Sequence, residues 1–331
     1  MISIVQFGAG PLGRNVLRYL YDRKGIHVAG VVDLNPELAG HDAGELADVP
    51  ANGVSVSQSL DEILKTAGEP PRVAVLTTVS SIAGLVDQVR LSAEAGMHIV
   101  STCEELLYPW NQHPDEAREI DRICRENNVA CLGTGVNPGF LMDFLPVVFT
   151  STSRNVDQIT VERVQDASTR RIPFQQKIGA GLSPDEFEQK KADGILRHVG
   201  LPESVDLIAA AMGWELDENR ETLEPVLSPE GTDAGYVSIS SNMPAGVEQV
   251  GSGFVNGKEV IRLVFRAAVG EPRSYDRIHI SGEPEVQTEI KGGLHGDIAT
   301  SAITVNAVRS ITRCRPGLNT MLDAPVPAWF S

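Results

Sequence analysis

The first part of the chain alternates short apolar runs with amphipathic helical patterns. Helical periodicity is clearest in 11–25 and 81–96, where apolar residues recur on one face. The apolar runs have the length of strands and lie at 2–8, 27–33, 72–78, 97–102 and 129–135. Strands that alternate with helices form βαβ units, which build a parallel sheet covered on both faces. The pattern therefore predicts an α/β, Rossmann-type doubly wound sheet.

The second part of the chain has a different pattern. Asn256 and Gly257 lie between two β-rich runs, a strong signal for a two-residue hairpin. In the arm after this pair, apolar and polar residues alternate over 260–267, as in a strand with one buried face. Further strands are predicted at 155–165, 275–282 and 284–293, and helices at 183–200, 202–214 and 295–311. These features predict an α+β domain with a mostly antiparallel sheet.

These patterns predict the domain organisation. We expect a dinucleotide-binding domain over 1–150 and a substrate and dimerisation domain over 151–294. The C-terminal helix and tail, 295–331, are expected to return to the first domain. The second face of the antiparallel sheet needs a cover, which predicts a homodimer built on that sheet.

Composition and charge narrow the classes of function. The net charge of −16 argues against binding to nucleic acid or to anionic membranes, because both require a basic face. No apolar run approaches the roughly 20 residues of a membrane span, and the chain starts directly on a strand pattern, which predicts no signal peptide. The four cysteines show no CxxC spacing, so reduced thiols, a cytoplasmic location and no metal site are expected.

A glycine motif follows the first predicted strand and opens the first predicted helix. Gly8, Gly10 and Gly13 form a GxGxxG pattern in "VQFGAGPLGR". These glycines permit a tight turn, close approach of a pyrophosphate and close packing of the helix on the sheet, while the helix start offers N–H donors. The pattern predicts a dinucleotide site that also includes Pro11 and Leu12. The alternative is a purely structural turn.

The preference between NAD and NADP depends on two side chains. Asp33 ends the next predicted strand, about 20 residues beyond Gly13, where a ribose-binding acid is expected. Its charge should repel a 2′-phosphate, and no basic residue follows it directly, which favours NAD. Arg14 lies at the helix start and can reach a phosphate on the adenine side, so NADP stays open; a solvated Arg14 is the alternative.

Polar residues follow three more predicted strands. Thr77 and Thr78 follow one strand, Glu104 follows the next, and Asn137 with Pro138 follow a third. Ligands of parallel sheets bind beyond the carboxyl ends of the strands. We therefore expect the nicotinamide ring to lie against these residues.

Two neighbouring carboxylates, Glu104 and Glu105, stand in "VSTCEELLYPW" next to an apolar wall. Desolvation there should raise a carboxyl pKa and suit it to acid–base chemistry near neutral pH. We assign this role to Glu104. Glu105 is the other candidate, and a third reading makes both of them first-turn residues that interact with a helix dipole.

Five segments together resemble one enzyme family. They are "VSTCEELLYPW" (100–110), "GTGVNPGFLMDFLP" (133–146), "RVQDASTRRIPFQQKIGAG" (163–181), "HVGLPES" (198–204) and "GLHGDIATSAITVNAV" (293–308). The chain is similar to the 2,4-diaminopentanoate dehydrogenases and native amine dehydrogenases, whose N-terminal domain is dihydrodipicolinate-reductase-like. The resemblance implies a homodimer and the NAD(P)-dependent interconversion of amines with carbonyl compounds and ammonia. It also implies that Glu104 is the catalytic carboxylate and that Asn137 and Pro138 lie near the nicotinamide.

The resemblance further implies a substrate pocket formed by Phe140, Arg163, Gln165, Phe174 and His198. Structural alternatives exist for four of these five residues. Arg163 can bind a substrate carboxylate or form a salt bridge at a domain interface. His198 can line the pocket, cap a helix or be a hydrogen-bonded core residue. The two phenylalanines can be core residues. Two other functions remain open, namely a related imine or carbonyl reductase and a non-catalytic NAD-binding regulator.

Overall fold

A computed structural model of the chain describes residues 1–168, 170 and 172–331. These residues form two compact units, one made of 1–140 together with 295–331 and the other of 141–294. Residues 141–150, expected in the first domain, thus belong to the second unit. Within the described residues, no helix combines the length and the apolar character needed to cross a bilayer.

The strands are, in chain order, β1 Ile2–Phe7, β2 Ile26–Val32, β3 Val56–Ser57, β4 Val73–Leu76, β5 His98–Ser101, β6 Ala130–Gly133, β7 Asn155–Asp166, β8 Glu218–Leu227, β9 Thr232–Asp233, β10 Ser238–Ile239, β11 Pro244–Val255, β12 Lys258–Ala268, β13 Tyr275–Glu283, β14 Val286–Lys291 and β15 Gly317–Asn319. The α-helices are α1 Pro11–Tyr21, α2 Ala43–Leu46, α3 Leu60–Thr66, α4 Val86–Glu94, α5 Pro114–Glu126, α6 Phe144–Thr150, α7 Ile172–Lys177, α8 Pro184–Ala192, α9 Leu201–Met212 and α10 Gly296–Ile311. Short 3₁₀ turns span Pro36–Leu38 and Glu104–Leu106.

The first unit is built on a seven-stranded parallel sheet, which confirms the doubly wound fold. Its strand order is β15-β6-β5-β4-β1-β2-β3. One face packs on α3, α4 and α5 through side chains such as Phe7, Ile63 and Val89. On the other face α1 lies beside α10. The strand order reverses between β1 and β4, which is where ligands of open α/β sheets bind.

The second unit contains the mostly antiparallel sheet expected from the sequence. Its order is β14-β13-β7-β12-β11-β8, and only the β7–β12 pair is parallel. Asn256 and Gly257 have φ of 51° and 72°, as the predicted two-residue hairpin requires. Helix α9 packs on β11, where a Cβ added at Gly251 would lie 3.0 Å from Leu201 Cγ. Gly251 and Gly253 of β11 thus let this helix approach the sheet closely.

Two elements of this unit differ from the sequence-based expectation. Helix α8 ends at Ala192 and does not run on to residue 200, because Gly194 adopts a φ of +70° just beyond the helix and closes it. Strand β8, "ENRETLEPVL", lacks an apolar face in its sequence and was not expected. It is an edge strand, and charged side chains and a proline are common on such strands.

Candidate active site

The site candidates of the first unit meet at one edge of its sheet. The last residues of four strands are in register, namely Phe7, Leu76, Ser101 and Gly133. Each following loop starts with a backbone bond to the neighbouring strand, for example from Thr77 N to the Phe7 carbonyl at 2.9 Å. These loops carry the glycine motif, Thr77 and Thr78, Glu104, and Asn137 with Pro138. The structure therefore brings these predicted residues to the same edge.

The glycine loop is held by buried polar contacts. Gly8 has a φ of +93°, and a Cβ at Gly13 would lie 2.1 Å from the Gly8 carbonyl oxygen, so both positions require glycine. Gln6 donates from Nε2 to the carbonyls of Gly8 (2.9 Å) and Gly13 (2.8 Å). The Thr77 hydroxyl donates to the carbonyls of Phe7 (2.9 Å) and Gly8 (3.1 Å). Thr77 therefore braces the loop from the neighbouring strand.

The start of α1 is open to a ligand. Gly10 is the N-cap residue and offers no side-chain cap, and Pro11 occupies the first turn. A Cβ at Gly10 would meet no protein atom within 4 Å. The exposed Arg14 donates from Nε to the Ala9 carbonyl at 2.9 Å, which places its guanidinium beside the loop. An uncapped helix start with space before it suits a phosphate.

A cleft of about 560 Å³ continues from this loop. Its lining residues are Phe7, Gly8, Gly10, Val32, Asp33, Leu34, Gln58, Ser59, Leu60, Asp61, Thr77, Thr78, Val79, Gln88 and Leu91. Asp33 accepts hydrogen bonds from Ala9 N (2.7 Å) and Asn35 N (2.8 Å), one on each carboxylate oxygen. Each oxygen retains capacity for a further donor, such as a ribose hydroxyl. None of these lining residues is basic.

At the third strand end, buried donors lack partners within the described part of the chain. Asn137 Nδ2 and Thr134 Oγ1 are both buried, and neither makes a hydrogen bond there. Orphaned buried polar atoms are rare in folded proteins and are usually satisfied by a ligand or water. The open helix start, the Asp33 carboxylate and these donors together fit a nicotinamide dinucleotide.

The two neighbouring glutamates have different surroundings. Glu104 begins the 3₁₀ turn that follows β5 and is half-buried. Glu105, whose side chain is 15% exposed, accepts a hydrogen bond from Ile82 N at 2.8 Å on Oε2. His113 Nε2 lies 3.6 Å from the same oxygen. The Glu105 carboxylate thus contacts the loop after β4. Its role is therefore not limited to an interaction with the dipole of its own helical turn.

Cys103 precedes these residues and is a structural thiol. Its side chain is 2% exposed and donates from Sγ to the Ser80 carbonyl at 3.1 Å. Burial, followed by the negative charge of Glu104, raises the pKa of the thiol to about 12. The thiol therefore stays protonated and remains a donor at neutral pH.

In the second unit, Arg163 forms a buried ion pair. Its Nη1 lies 3.2 Å from both carboxylate oxygens of Asp276, and its Nη2 donates to the Leu294 carbonyl at 2.9 Å. Gln165 donates to the same carbonyl at 3.3 Å. Burial raises the pKa of Asp276 despite the neighbouring guanidinium. Arg163 is thus engaged inside the second unit, and its place in a substrate pocket stays a prediction.

His198 and Phe174 also lie in the second unit. The His198 ring packs at 4.5 Å on Phe265, and its Nδ1 lies 3.1 Å from the Val199 carbonyl. Burial, then the positive charges of Lys177 and Arg163, lowers the pKa of His198 to about 3. Phe174 lies on α7 under the Arg170 guanidinium, 4.4 Å away. Their pocket roles, like that of the half-buried Phe140, stay predictions.

Several residues of the site were not predicted from the sequence. Gln6, Gln58, Ser59, Gln88 and Leu91 brace the glycine loop or line the cleft. Gln6 had a detectable signal, because it is an amide side chain in the run "ISIVQF", whose other residues are apolar except for Ser3. The others lie in loops and helices where nothing in the local pattern marks them.

Comparison with protein families identifies the chain. Residues 140–331 match the 2,4-diaminopentanoate dehydrogenase C-terminal domain, and residues 2–103 match the N-terminus of dihydrodipicolinate reductase. The chain belongs to the 2,4-diaminopentanoate dehydrogenase family. This confirms the family expected from the sequence, and with it an oxidoreductase of CH–NH2 groups with an NAD(P)-binding N-terminal fold.

Individual relatives agree with this family. A 2,4-diaminopentanoate dehydrogenase of Acetoanaerobium sticklandii is 31% identical over 98% of this chain and 94% of its own length. An amine dehydrogenase of Streptomyces virginiae is 24% identical over 98% and 97% of the two chains. The structure of an amine dehydrogenase from Mycobacterium smegmatis superposes with a TM-score of 0.85 at 20% identity, covering 99% of this chain and 97% of that one. The last comparison supports the fold.

Proposed function

We propose that this member of the family is an NAD(P)-dependent amine dehydrogenase that converts a ketone or aldehyde and ammonia into an amine, and catalyses the reverse oxidative deamination. One observation carries the proposal. The half-buried Glu104 lies in the loop after β5, and Thr77 follows the neighbouring strand β4. Both lie at the same sheet edge as the glycine loop. A carboxylate at that edge is suited to proton transfer next to a nicotinamide.

The proposed chemistry assigns one carboxylate to two proton transfers. Glu104 accepts a proton from ammonium, so that ammonia can add to the substrate carbonyl. It then returns this proton to the hydroxyl of the carbinolamine, which leaves as water and gives an iminium ion. A bound nicotinamide cofactor supplies the hydride for this iminium. Glu104 is therefore unchanged after each turnover, and the apolar Leu106 and Leu107 behind it keep the turn in place.

The first test combines an assay with two variants. We expect oxidation of NADH or NADPH to require both a carbonyl substrate and ammonia, and Glu104→Gln to lower the amination rate by about 10²–10⁴-fold, the usual effect of losing a proton-transfer group. Glu105→Gln is the matched control and should retain most activity, because its amide oxygen can still accept from Ile82. Cofactor oxidation without ammonia would indicate a carbonyl reductase instead. Normal turnover of Glu104→Gln would contradict the proposed role.

We also propose that NAD is the preferred cofactor. The support is Asp33, which is fixed by two backbone donors in a cleft without basic lining residues. We expect kcat/KM to be higher with NADH than with NADPH and Asp33→Ser to reduce this difference. A hundredfold preference for NADPH in the unchanged protein would mean that Arg14 dominates recognition.

A further inference from the structure

Glu104 is flanked on both sides by residues that are tied to the loop after β4. Cys103 Sγ and Glu105 N both donate to the Ser80 carbonyl, at 3.1 and 3.4 Å. The Glu105 carboxylate then accepts from Ile82 N at 2.8 Å. The side chain of Ile82 is fully buried, so the contact has a rigid base on that side.

The same loop also borders the cofactor cleft. Thr78 and Val79 line the cleft, Ser80 follows them directly, and Ile82 lies two residues further on. Contacts of residues 103 and 105 with this loop therefore connect the turn that carries Glu104 to a wall of the cleft. A displacement of about 1 Å at a reacting group can lower the rate by 10²-fold. The reaction rate should therefore depend on the position of this turn.

We propose that Glu105 is a positioning residue, whose carboxylate holds the loop at 80–82 against the 3₁₀ turn and thereby keeps Glu104 in place for proton transfer. This inference rests on the proposed role of Glu104. Burying a carboxylate is unfavourable unless it is partnered. Here the partners are a backbone N–H of another loop and the nearby His113, so the partnering itself joins two segments.

The geometry of the contact between Glu105 and Ile82 predicts that different substitutions of Glu105 lower kcat to different extents. Glu105→Gln keeps an acceptor oxygen at the same reach. Glu105→Asp keeps the charge but shortens the side chain, and Glu105→Ala removes the acceptor. We expect kcat to fall by about 10–100-fold in the Ala and Asp variants and to stay within about threefold in Gln, while the dissociation constant for NADH, measured by fluorescence titration, changes far less.

A double-mutant cycle separates positioning from general stability. If Glu105 acts through Glu104, then Glu105→Ala should change the residual rate by less than about twofold when it is added to Glu104→Gln. Asp121→Ala is a matched control, because Asp121, on α5, also accepts a backbone N–H, from Leu318 at 2.9 Å, and contacts neither the 3₁₀ turn nor the loop at 80–82 in this bond. It should lower Tm without lowering kcat.

The outcomes are distinguishable. An unchanged kcat in Glu105→Ala or Glu105→Asp overturns the positioning role, even if Tm falls, and so does an equal loss of rate in the Glu104→Gln background. If Glu105→Ala does not fold, Glu105→Asp and Glu105→Gln carry the same comparison. Normal turnover of Glu104→Gln would instead overturn the proposed function, and it is read from a variant in which Glu105 is intact.

Discussion

At the scale of single residues, the contacts of a side chain matter more than its chemical type. Glu104 and Glu105 are neighbours with the same carboxylate, but Glu105 holds the Ile82 backbone. The sequence alone is compatible with an Arg163 that binds a substrate carboxylate or forms a salt bridge at a domain interface. In the structure it pairs with Asp276 within one unit. Removing one partner of such a buried pair typically costs about 3–5 kcal/mol, so Arg163 has a structural role whatever else it contacts.

The buried imidazole of His198 predicts a dependence of stability on pH. Its pKa is lowered from 6.5 to about 3, so the folded state stays neutral where the unfolded state takes up a proton. The folded state is therefore fully favoured above about pH 6.5 and loses stability as the pH falls towards 3. We expect His198→Asn to show a flatter fall in the free energy of unfolding between pH 7 and 4.5, measured by urea denaturation.

A control for this prediction is His41→Asn, at an exposed position. It should keep the slope of the unchanged protein. An equal slope in His198→Asn and the unchanged protein would show that the His198 ring takes up a proton in the folded state.

At the scale of elements, two of the three glycines between β1 and the first turn of α1 have different surroundings. A Cβ at Gly13 would meet the Gly8 carbonyl oxygen at 2.1 Å, whereas a Cβ at Gly10 would meet no protein atom. We expect Gly13→Ala to destabilise the fold by about 1–3 kcal/mol, the usual cost of overpacking. Gly10→Ala should leave Tm nearly unchanged but weaken cofactor binding.

The measurements are thermal unfolding and titration of NADH for the two variants side by side. Equal losses of Tm would contradict the different surroundings of the two glycines. Tight NADH binding by Gly10→Ala would mean that the pyrophosphate does not approach this part of the loop.

At the scale of the whole molecule, we expect a homodimer formed on the six-stranded sheet. The face of this sheet that carries Val250 and Val264 lies opposite to the face packed on α9. Around the two valines lie ion pairs such as Arg277–Glu162 at 3.1 Å. A polar rim with an apolar centre is typical of interfaces between subunits.

Light scattering at micromolar concentration should give the mass of two chains, and Val264→Glu should reduce it by placing a charge at the centre of the face. Val326→Glu, at an exposed position of the first unit, is the control and should remain dimeric. A single-chain mass for the unchanged protein would contradict the dimer.

The family resemblance rests on five segments along the chain, and the short strands β3 and β15 were not predicted. Local patterns in the sequence determined the alternation of the five longer strands of the first unit with helices, the glycine turn, and the hairpin at Asn256 and Gly257. Each of these depends on residues close together in the chain, whose periodicity or backbone preference is readable directly. The charged edge strand β8 was not predicted from the sequence, because its stability comes from pairing with β11 and not from an apolar face.

Only the tertiary structure decided what the individual site residues contact. Glu105 meets Ile82 across 23 positions of sequence, and Arg163 meets Asp276 across 113. Such pairs form because strands that are distant in the chain lie side by side, and their side chains leave no trace in local periodicity. Gln6 was visible as a polar residue in a buried strand, but its partners at the glycine loop became defined only when β1 and α1 packed together.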